Sequence, residues 1–353
     1  MENGTAVQWV NTTEWDWILV LRTIFAAAGV AGNALVIAVY AQRRRREGAS
    51  ATNALIVNLA VADLLTSLLL LPVPTFRAVP LTAGGRAYCK LIFSQMLMWI
   101  AIVVSILTLT LVSLERYAAV VHPHRYRRLF AGWRSRVAIA GTWLTAVALN
   151  TFNLFVYELL PDGYCHIIWS SLAVRYLIAT MVFVFEYLAP AVVMVAANAA
   201  TVRTLRRQAR ALLSGPGGSR NSPAYSQLRA RQRVIETIRL VVVVFLVCWT
   251  PDQIGFFVYH MGQLPDSYLG WASYRLMVLL AFANSCANPI VYAFKNPSFR
   301  HSLLAMLGLR GGRVDSTAAA VSGAAGERDK PATASVPVQS VRPRATAPTL
   351  VPT

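Results

Sequence analysis

The chain has 353 residues, of which 56% are hydrophobic and only 14% charged, too apolar for an ordinary soluble globule, where about a quarter of residues carry charge. A net charge of +18 suits a nucleic-acid binder only when the basic residues cover a soluble surface, whereas here they fall between long uncharged runs. The apolar content excludes disorder of the whole chain, and four cysteines exclude a disulfide-dense secreted fold.

A helix needs about 20 mostly apolar residues to cross the hydrocarbon core. Seven such runs lie near Trp17–Tyr40, Asn53–Arg77, Lys90–Glu115, Val137–Tyr157, Ser171–Val202, Val234–His260 and Trp271–Phe294. Lipid offers the backbone no hydrogen bonds, so each run is predicted to be a helix. The fold class is therefore all-α, a bundle of seven membrane spans. The first run lacks a basic leader and a small-residue cleavage site, and reads as a retained helix. Residues 1–16 precede it and carry two glycosylation sequons, beginning at Asn3 and Asn11. Between spans five and six, Ser214–Ser226 is rich in Gly, Ser and Pro and reads as a mobile loop. After span seven, Phe299, Leu303, Leu304 and Leu307 recur at helical spacing, predicting a short amphipathic helix on the membrane surface. That helix closes a bundle domain of residues 17–308. Residues 309–353 are aperiodic Ala, Val, Pro, Ser, Thr and Gly and read as a disordered tail.

Of the 33 basic residues, 27 lie in the connections after spans one, three and five and in the segment after span seven. Such asymmetry places those connections in the cytosol, the N-terminus outside and the C-terminus inside. Both sequons fall in the segment placed outside. No internal repeat is visible, and neither is a pair of broken helices recurring in two halves, as a transporter built from inverted repeats would show.

Motifs then appear in order, one set to each span: Gly32-Asn33, Leu59-Ala-Val-Ala-Asp63, Glu115-Arg116-Tyr117, Trp143, Pro190, Cys248-Trp249-Thr250-Pro251, and Asn288-Pro289-Ile-Val-Tyr292. Jointly they resemble the rhodopsin-like (class A) G-protein-coupled receptors over about Trp17 to Gly308. The Cys-Trp-Thr-Pro-Asp-Gln run and the Val-Val-His-Pro run after Tyr117 are most similar to neuropeptide receptors of the galanin type. The resemblance implies a plasma-membrane receptor, not an enzyme, that binds an extracellular ligand and activates a heterotrimeric G protein.

Asp63 falls mid-membrane, where a charge costs a few kcal/mol or more unless paired or hydrated. One reading is a protonated, hydrogen-bonded core carboxyl. The family uses this carboxylate for a sodium ion, and the matching oxygen donors here are Ser105, Asn284, Ser285 and Asn288, a set suited to a hard cation. No cofactor is otherwise required. Glu115-Arg116-Tyr117 could be an interfacial anchor, since Arg snorkels at such depths. With Tyr292 the resemblance implies a switch instead, Arg116 pairing with Glu115 at rest and swinging out to meet the G protein. The family's acidic lock on span six is Arg231 here, and its span-five tyrosine is Asn198, which predicts a loosely held resting state with basal activity. Pro190, Ile106 and Phe245 match a packing triad that couples ligand to span six, with Pro251 as hinge because a proline inside a helix removes one backbone hydrogen bond.

Relatives join Cys89 to Cys165 by a disulfide, which an oxidising exterior permits. Cys248 and Cys286 are then buried free thiols. The 27-residue separation of Cys89 from Arg116 is two longer than usual in that family, implying a longer outer end of span three or a local bulge.

For the ligand, Phe282 replaces the retinal-binding lysine of opsins, and Met98 replaces the span-three aspartate of amine receptors. Glu186 and Asp252 are unusual acids at pocket depth. They could bond each other or pair with Arg175 or Arg275, or they could face a cationic ligand group such as an Arg side chain or a peptide amine. Gln95, Met98, Trp99, Trp249, Gln253, Phe256, Tyr259 and Arg275 could share that cavity. A small amine or lipid ligand, a transporter using Asp63, Glu186 and Asp252, and a membrane enzyme are the alternatives; no nucleophile–base pair or metal-ligand cluster supports the last. Expected partners are a peptide, a G protein, the bilayer and, once tail hydroxyls such as Ser316 and Thr317 are phosphorylated, arrestin, with no nucleic acid.

Overall fold

Each apolar run forms a helix, and seven helices among the described residues are long and apolar enough to span a membrane. The computed structural model describes residues 10–11, 16–48, 50–72, 76–130, 132–215, 219–306 and 308. Asn3, the tail hydroxyls, Leu307 and the segment 309–353 lie outside them.

Span one, Trp17–Glu47, opens on the N-cap Asp16, whose Oδ1 accepts from the Leu19 N–H at 2.8 Å, and stops at Gly48, where φ is 85°. Span two, Ala51–Leu70, ends earlier than its hydropathy suggests. Pro72 follows, and a proline cannot continue the helix; the chain instead forms the strand Phe76–Ala78, paired antiparallel with Val10–Asn11. Asn11, the second sequon residue, thus belongs to a strand.

Span three, Ala83–Val121, is not one regular helix. It winds as a π-helix over Tyr88–Phe93, turns at Ser94, passes through Gln95 at φ 56° and restarts at Met96. Gln95 is the one non-glycine residue with positive φ among those described. Ser94 stabilises the restart by accepting from the Met96 N–H at 3.1 Å. This irregularity lies between Cys89 and Arg116, where the spacing implies a longer outer end or a local bulge. A π-turn inserts one residue into a helix, and the left-handed step resets its direction.

Span three is followed by a short helix, Pro123–Leu129, then span four, Gly132–Asn150, and a hairpin pairing Tyr157–Leu159 with Cys165–Ile167. Span five runs from Leu172 to Ser214 with a second π-segment at Phe183–Leu188. Span six, Pro223–His260, and span seven, Ala272–Lys295, enclose a short 3-10 helix, Asp266–Gly270. The connection read as a mobile loop from Ser214 to Ser226 is shorter than that, because Ser222 caps span six by accepting from the Tyr225 N–H at 3.2 Å. Hydropathy ends where arginines begin, but the helix continues: Leu228 and Ile235, seven residues apart, pack with Leu205 of span five.

The main core gathers Met98, Ile102, Ile106, Tyr187, Met194, Phe245, Trp249, Phe282 and Tyr292 from spans three, five, six and seven. Gly32 permits close packing of spans one and seven, since a Cβ there would stand 2.9 Å from Pro289. Asn33 ties the same two spans by donating to the Gly29 and Ser285 carbonyls at 2.9 and 3.0 Å. Asn58 donates to Thr108 at 2.8 Å and accepts from the Trp143 indole at 3.0 Å, joining spans two, three and four. The final helix, Pro297–Met306, does more than float on lipid. Phe299 is 2% exposed and its ring meets Tyr40 and Tyr292 at 6.1 and 6.2 Å, pinning the helix to spans one and seven.

Candidate functional site

Three polar clusters thread the bundle, and the middle one centres on Asp63. This carboxylate is fully buried. It accepts from Ser105 Oγ at 2.8 Å on one oxygen and from Asn288 Nδ2 at 2.8 Å on the other. The amide oxygens of Asn284 and Asn288 are buried with no hydrogen-bond partner, although such acceptors are normally satisfied. The Ser285 carbonyl accepts from Asn33 nearby. A hard cation takes carboxylate, hydroxyl and amide oxygens, so the donor set fits sodium, and the two orphaned oxygens are what such an ion with its waters would satisfy.

Toward the arginine-rich end, Glu115 is wholly buried and is held by three side chains. Arg116 Nε lies 2.8 Å from Oε2, while Thr52 and Tyr126 each donate to Oε1 at 2.7 Å. Arg116 also donates to the Thr52 hydroxyl. The family-matched pairing of Glu115 with Arg116 is therefore present, with two further partners that the motif does not announce. The sequence signal for them is indirect: a buried carboxylate has more acceptor capacity than one arginine fills. Burial, with the Glu115 charge adding, raises the Tyr126 phenol to about 12. Tyr117 is not part of this cluster; its hydroxyl meets His122 Nε2 at 3.2 Å. Two more contacts restrain this end. Asn198 donates to Ser113 at 3.3 Å, and Thr237 donates to the Lys295 carbonyl at 3.2 Å, tying span six to span seven. These contacts join span five to span three and span six to span seven at the end where Arg231 stands in place of the acidic lock. Arg231 is exposed.

Between these clusters lies the packing triad. Ile106 and Phe245 share the main core, Phe245 at 0% exposure, and Pro190 is buried beside the second π-segment. Pro251 and Pro289 stand inside spans six and seven.

The third cluster occupies the disulfide end. Cys89 and Cys165 are bonded across 76 residues with a Cα separation of 5.4 Å, holding the hairpin to span three. Cys248 and Cys286 are buried free thiols. Glu186 is 8% exposed and accepts from Asn150 Nδ2 at 3.3 Å. Asp252 is 3% exposed and accepts from Gln253 Nε2 at 3.2 Å. Neither acid pairs with a base among the described residues. Arg175 donates to the Tyr259 carbonyl at 2.9 Å and lies 5.3 Å over the Tyr259 ring; Arg275 is bound to Asp16. The pairing of these acids with Arg175 or Arg275, one of the readings the sequence leaves open, is thereby set aside, as is a hydrogen bond between them. Trp249, Asp252, Gln253, Phe256 and Tyr259 follow one another along span six, with Trp249 and Met98 in the main core and Trp99 packed against it. Gln95 stands apart, exposed at the break in span three. Arg275 stands apart too, drawn to the start of span one.

Comparison with known proteins agrees with this geometry. The profile of the seven-transmembrane receptors of the rhodopsin family matches residues 32–292. The chain is 32% identical to galanin receptor type 2 of Rattus norvegicus over 316 residues, covering 84% of this chain and 80% of that receptor. It is 31% identical to somatostatin receptor type 5 of Bos taurus over 301 residues, 83% and 76% of the two chains. Galanin receptor type 1 of Rattus norvegicus is 29% identical over 287 residues, 80% and 79%.

Proposed function

Because the chain belongs to the rhodopsin family of seven-transmembrane receptors, we propose that it binds a peptide outside the cell and activates a heterotrimeric G protein inside. The disulfide end faces out and the arginine-rich end faces the cytosol, as the positive-inside rule requires. The relatives named for galanin and somatostatin support a peptide over an amine or a lipid. Met98 adds to this, being buried in the core where an amine receptor would need an acid.

The observation that carries the reading is the pair of buried acids without basic partners among the described residues, Glu186 and Asp252. A buried carboxylate left unpaired costs several kcal/mol, and a cationic group on the ligand would offset that cost. Ligand contact there bears directly on Trp249 and Phe245, one and two turns deeper on span six. A signal passes only if ligand affinity differs between two helix arrangements. The resting arrangement is the one in which Glu115 holds Arg116 and Thr237 holds span seven; outward movement of span six would release both. Screening peptides and small molecules for G-protein dissociation, with Glu186→Gln and Asp252→Asn alongside, tests the reading. It fails if no activating ligand loses potency in either variant.

The Asp63 cluster is the proposed sodium site, with Asp63, Ser105, Asn284, Ser285 and Asn288 as donors. An ion there supplies positive charge that stabilises the resting packing of spans two, three and seven. Asp63→Ala is expected to abolish the effect of sodium on agonist affinity; sodium dependence persisting in that variant would sink the assignment. Arrestin is a further proposed partner, through phosphorylated hydroxyls of the C-terminal tail, as are glycans on Asn3 and Asn11.

A further inference from the structure

The mouth above Asp252 is built from phenols. The 3-10 helix Asp266–Gly270 lays Tyr268 over span six, and its ring meets Tyr259 at 5.9 Å, Tyr274 at 5.1 Å and Trp271 at 5.5 Å. Tyr268 is 5% exposed. Its hydroxyl occupies the space a side chain at position 255 would fill, 2.1 Å from where a Cβ on Gly255 would stand. Gly255 is one turn above Asp252 on the same helix, so the phenol roofs the acid. Burial, and after it the Asp252 charge, raises the Tyr268 phenol, which agrees with that proximity.

Beneath the roof, two acceptor groups are short of donors among the described residues. Asp252 receives a single amide hydrogen bond, from Gln253, and the Gln253 Oε1 is buried with none. Buried acceptors of this kind are rare because each costs free energy. A point-like ammonium is strongly hydrated and carries its donors around one atom. A guanidinium is planar, weakly hydrated, offers a fork of five donors and stacks on aromatic faces. The same rim already holds one in that manner, since Arg175 lies over the Tyr259 ring.

We propose that Asp252 and Gln253, roofed by Tyr268 and flanked by Tyr259, form a subsite for a guanidinium group, which a ligand inserts by displacing the Tyr268 ring. The subsite rests on the peptide-receptor reading and names what it recognises: an arginine side chain. Gly255 and Tyr268 are its gate. Glu186, on span five beside Asn150, is not part of it.

The test uses the full-length receptor in membranes and needs no known ligand. Phe256→Cys places a thiol one turn above Asp252, and the unsubstituted receptor gives the background from Cys248 and Cys286. The cationic reagent 2-aminoethyl methanethiosulfonate should outpace the anionic 2-sulfonatoethyl reagent by about tenfold beyond their ratio on a free thiol, as a nearby uncompensated charge implies. Adding Asp252→Asn should remove most of that preference, and Tyr268→Ala should speed both reagents. Millimolar L-argininamide should slow modification, with norleucinamide and lysinamide much less effective. A cation preference untouched by Asp252→Asn overturns the subsite, equal protection by lysinamide overturns the guanidinium, and rates unchanged by Tyr268→Ala overturn the gate. Should Phe256→Cys fail to reach the membrane, Met277→Cys, at a position whose sulfur lies 4.0 Å from the Tyr268 hydroxyl, takes its place in the same comparisons. The accessibility pattern and the signalling screen separate the two claims. The expected pattern with no G-protein response to any arginine-bearing peptide leaves the subsite standing and removes the receptor reading. A peptide response without the pattern does the reverse.

Discussion

Two buried acids at opposite ends of the bundle are treated differently by their surroundings. Glu115, at the arginine-rich end, has an arginine and two hydroxyls on its two oxygens. Asp252, at the disulfide end, is nearly as buried yet has one amide and no base among the described residues. Folding alone favours the first arrangement, since an unpaired buried charge is among the costlier features a protein can keep. The contrast teaches where the molecule is complete by itself and where it waits for another. At the first end the acid is held by the chain's own side chains; at the second, under the proposed function, it is left for the chemistry of a ligand to complete.

The largest expected effect breaks the paired end. Glu115→Ala strips Arg116, Thr52 and Tyr126 of a shared acceptor and leaves a charge half-buried. Removing one member of such a pair typically costs about 3–5 kcal/mol. The receptor in detergent should unfold at a clearly lower temperature, and its ligand-free G-protein activation should rise. Glu115→Gln, which keeps the shape and one acceptor, should show the rise with a smaller loss of stability.

Asp252→Asn sharpens the comparison from the other side. No base among the described residues depends on that charge, and Asn keeps an acceptor for the Gln253 amide, so thermal stability should be unchanged or higher. Agonist potency should instead fall by about 10–100-fold, the worth of a hydrogen bond to a charged group. A stability loss as large as that of Glu115→Ala would show that Asp252 has a structural partner and would erase the contrast.

The sequence displays these two ends unequally. Lipid forces apolar runs into helices, which is why the seven spans can be read directly, and the Glu115–Arg116 pair is adjacent in the chain. Thr52 and Tyr126 were not legible, because a threonine and a tyrosine at a membrane boundary carry no unusual cost that would single them out. The inner start of span six was hidden because hydropathy falls at the arginines while Leu228 and Ile235 go on packing. Two surplus residues announced an irregularity in span three, but not that Ser94 and Gln95 would break the helix. For Asp252 the sequence offered Arg175 and Arg275 as partners. Only the fold sends one to Tyr259 and the other to Asp16, since loop paths decide which long side chains can reach which acids.

A smaller effect tests whether the arginine-rich end has a second clasp. Thr237→Val keeps the side-chain shape and removes the donor to the Lys295 carbonyl. One neutral hydrogen bond is worth about 1 kcal/mol, so basal signalling should rise about fivefold, well short of Glu115→Ala. The double variant should add to the single ones if the two clasps act independently, being on different spans with no shared partner. No rise in basal signal would remove Thr237 from the restraints and leave Glu115 and the Asn198–Ser113 contact.

The smallest effect comes from an acid that is satisfied but exposed, and it separates burial from pairing as the source of the contrast. Asp162, in the hairpin turn, accepts from the Tyr164 N–H at 2.9 Å and faces His166 Nε2 at 2.7 Å. The backbone hydrogen bond from Tyr164, followed by His166, holds its carboxyl below the usual 3.8. A depressed carboxylate contributes stability that is complete above its unfolded pKa and is lost as pH falls through the folded one. The Tyr164 amide should therefore exchange with solvent at a protection independent of pH above about 5, once intrinsic rates are divided out, and lose part of it below about 4. Asp162→Asn should flatten that dependence while leaving agonist potency and basal signalling unchanged. Because Asp162 sits in water, losing its partners exposes no uncompensated charge, and the rest of the bundle has no reason to respond. If this variant changed signalling as much as Thr237→Val, pairing alone would set the energetics, and the burial of Glu115 and Asp252 would not be what distinguishes them.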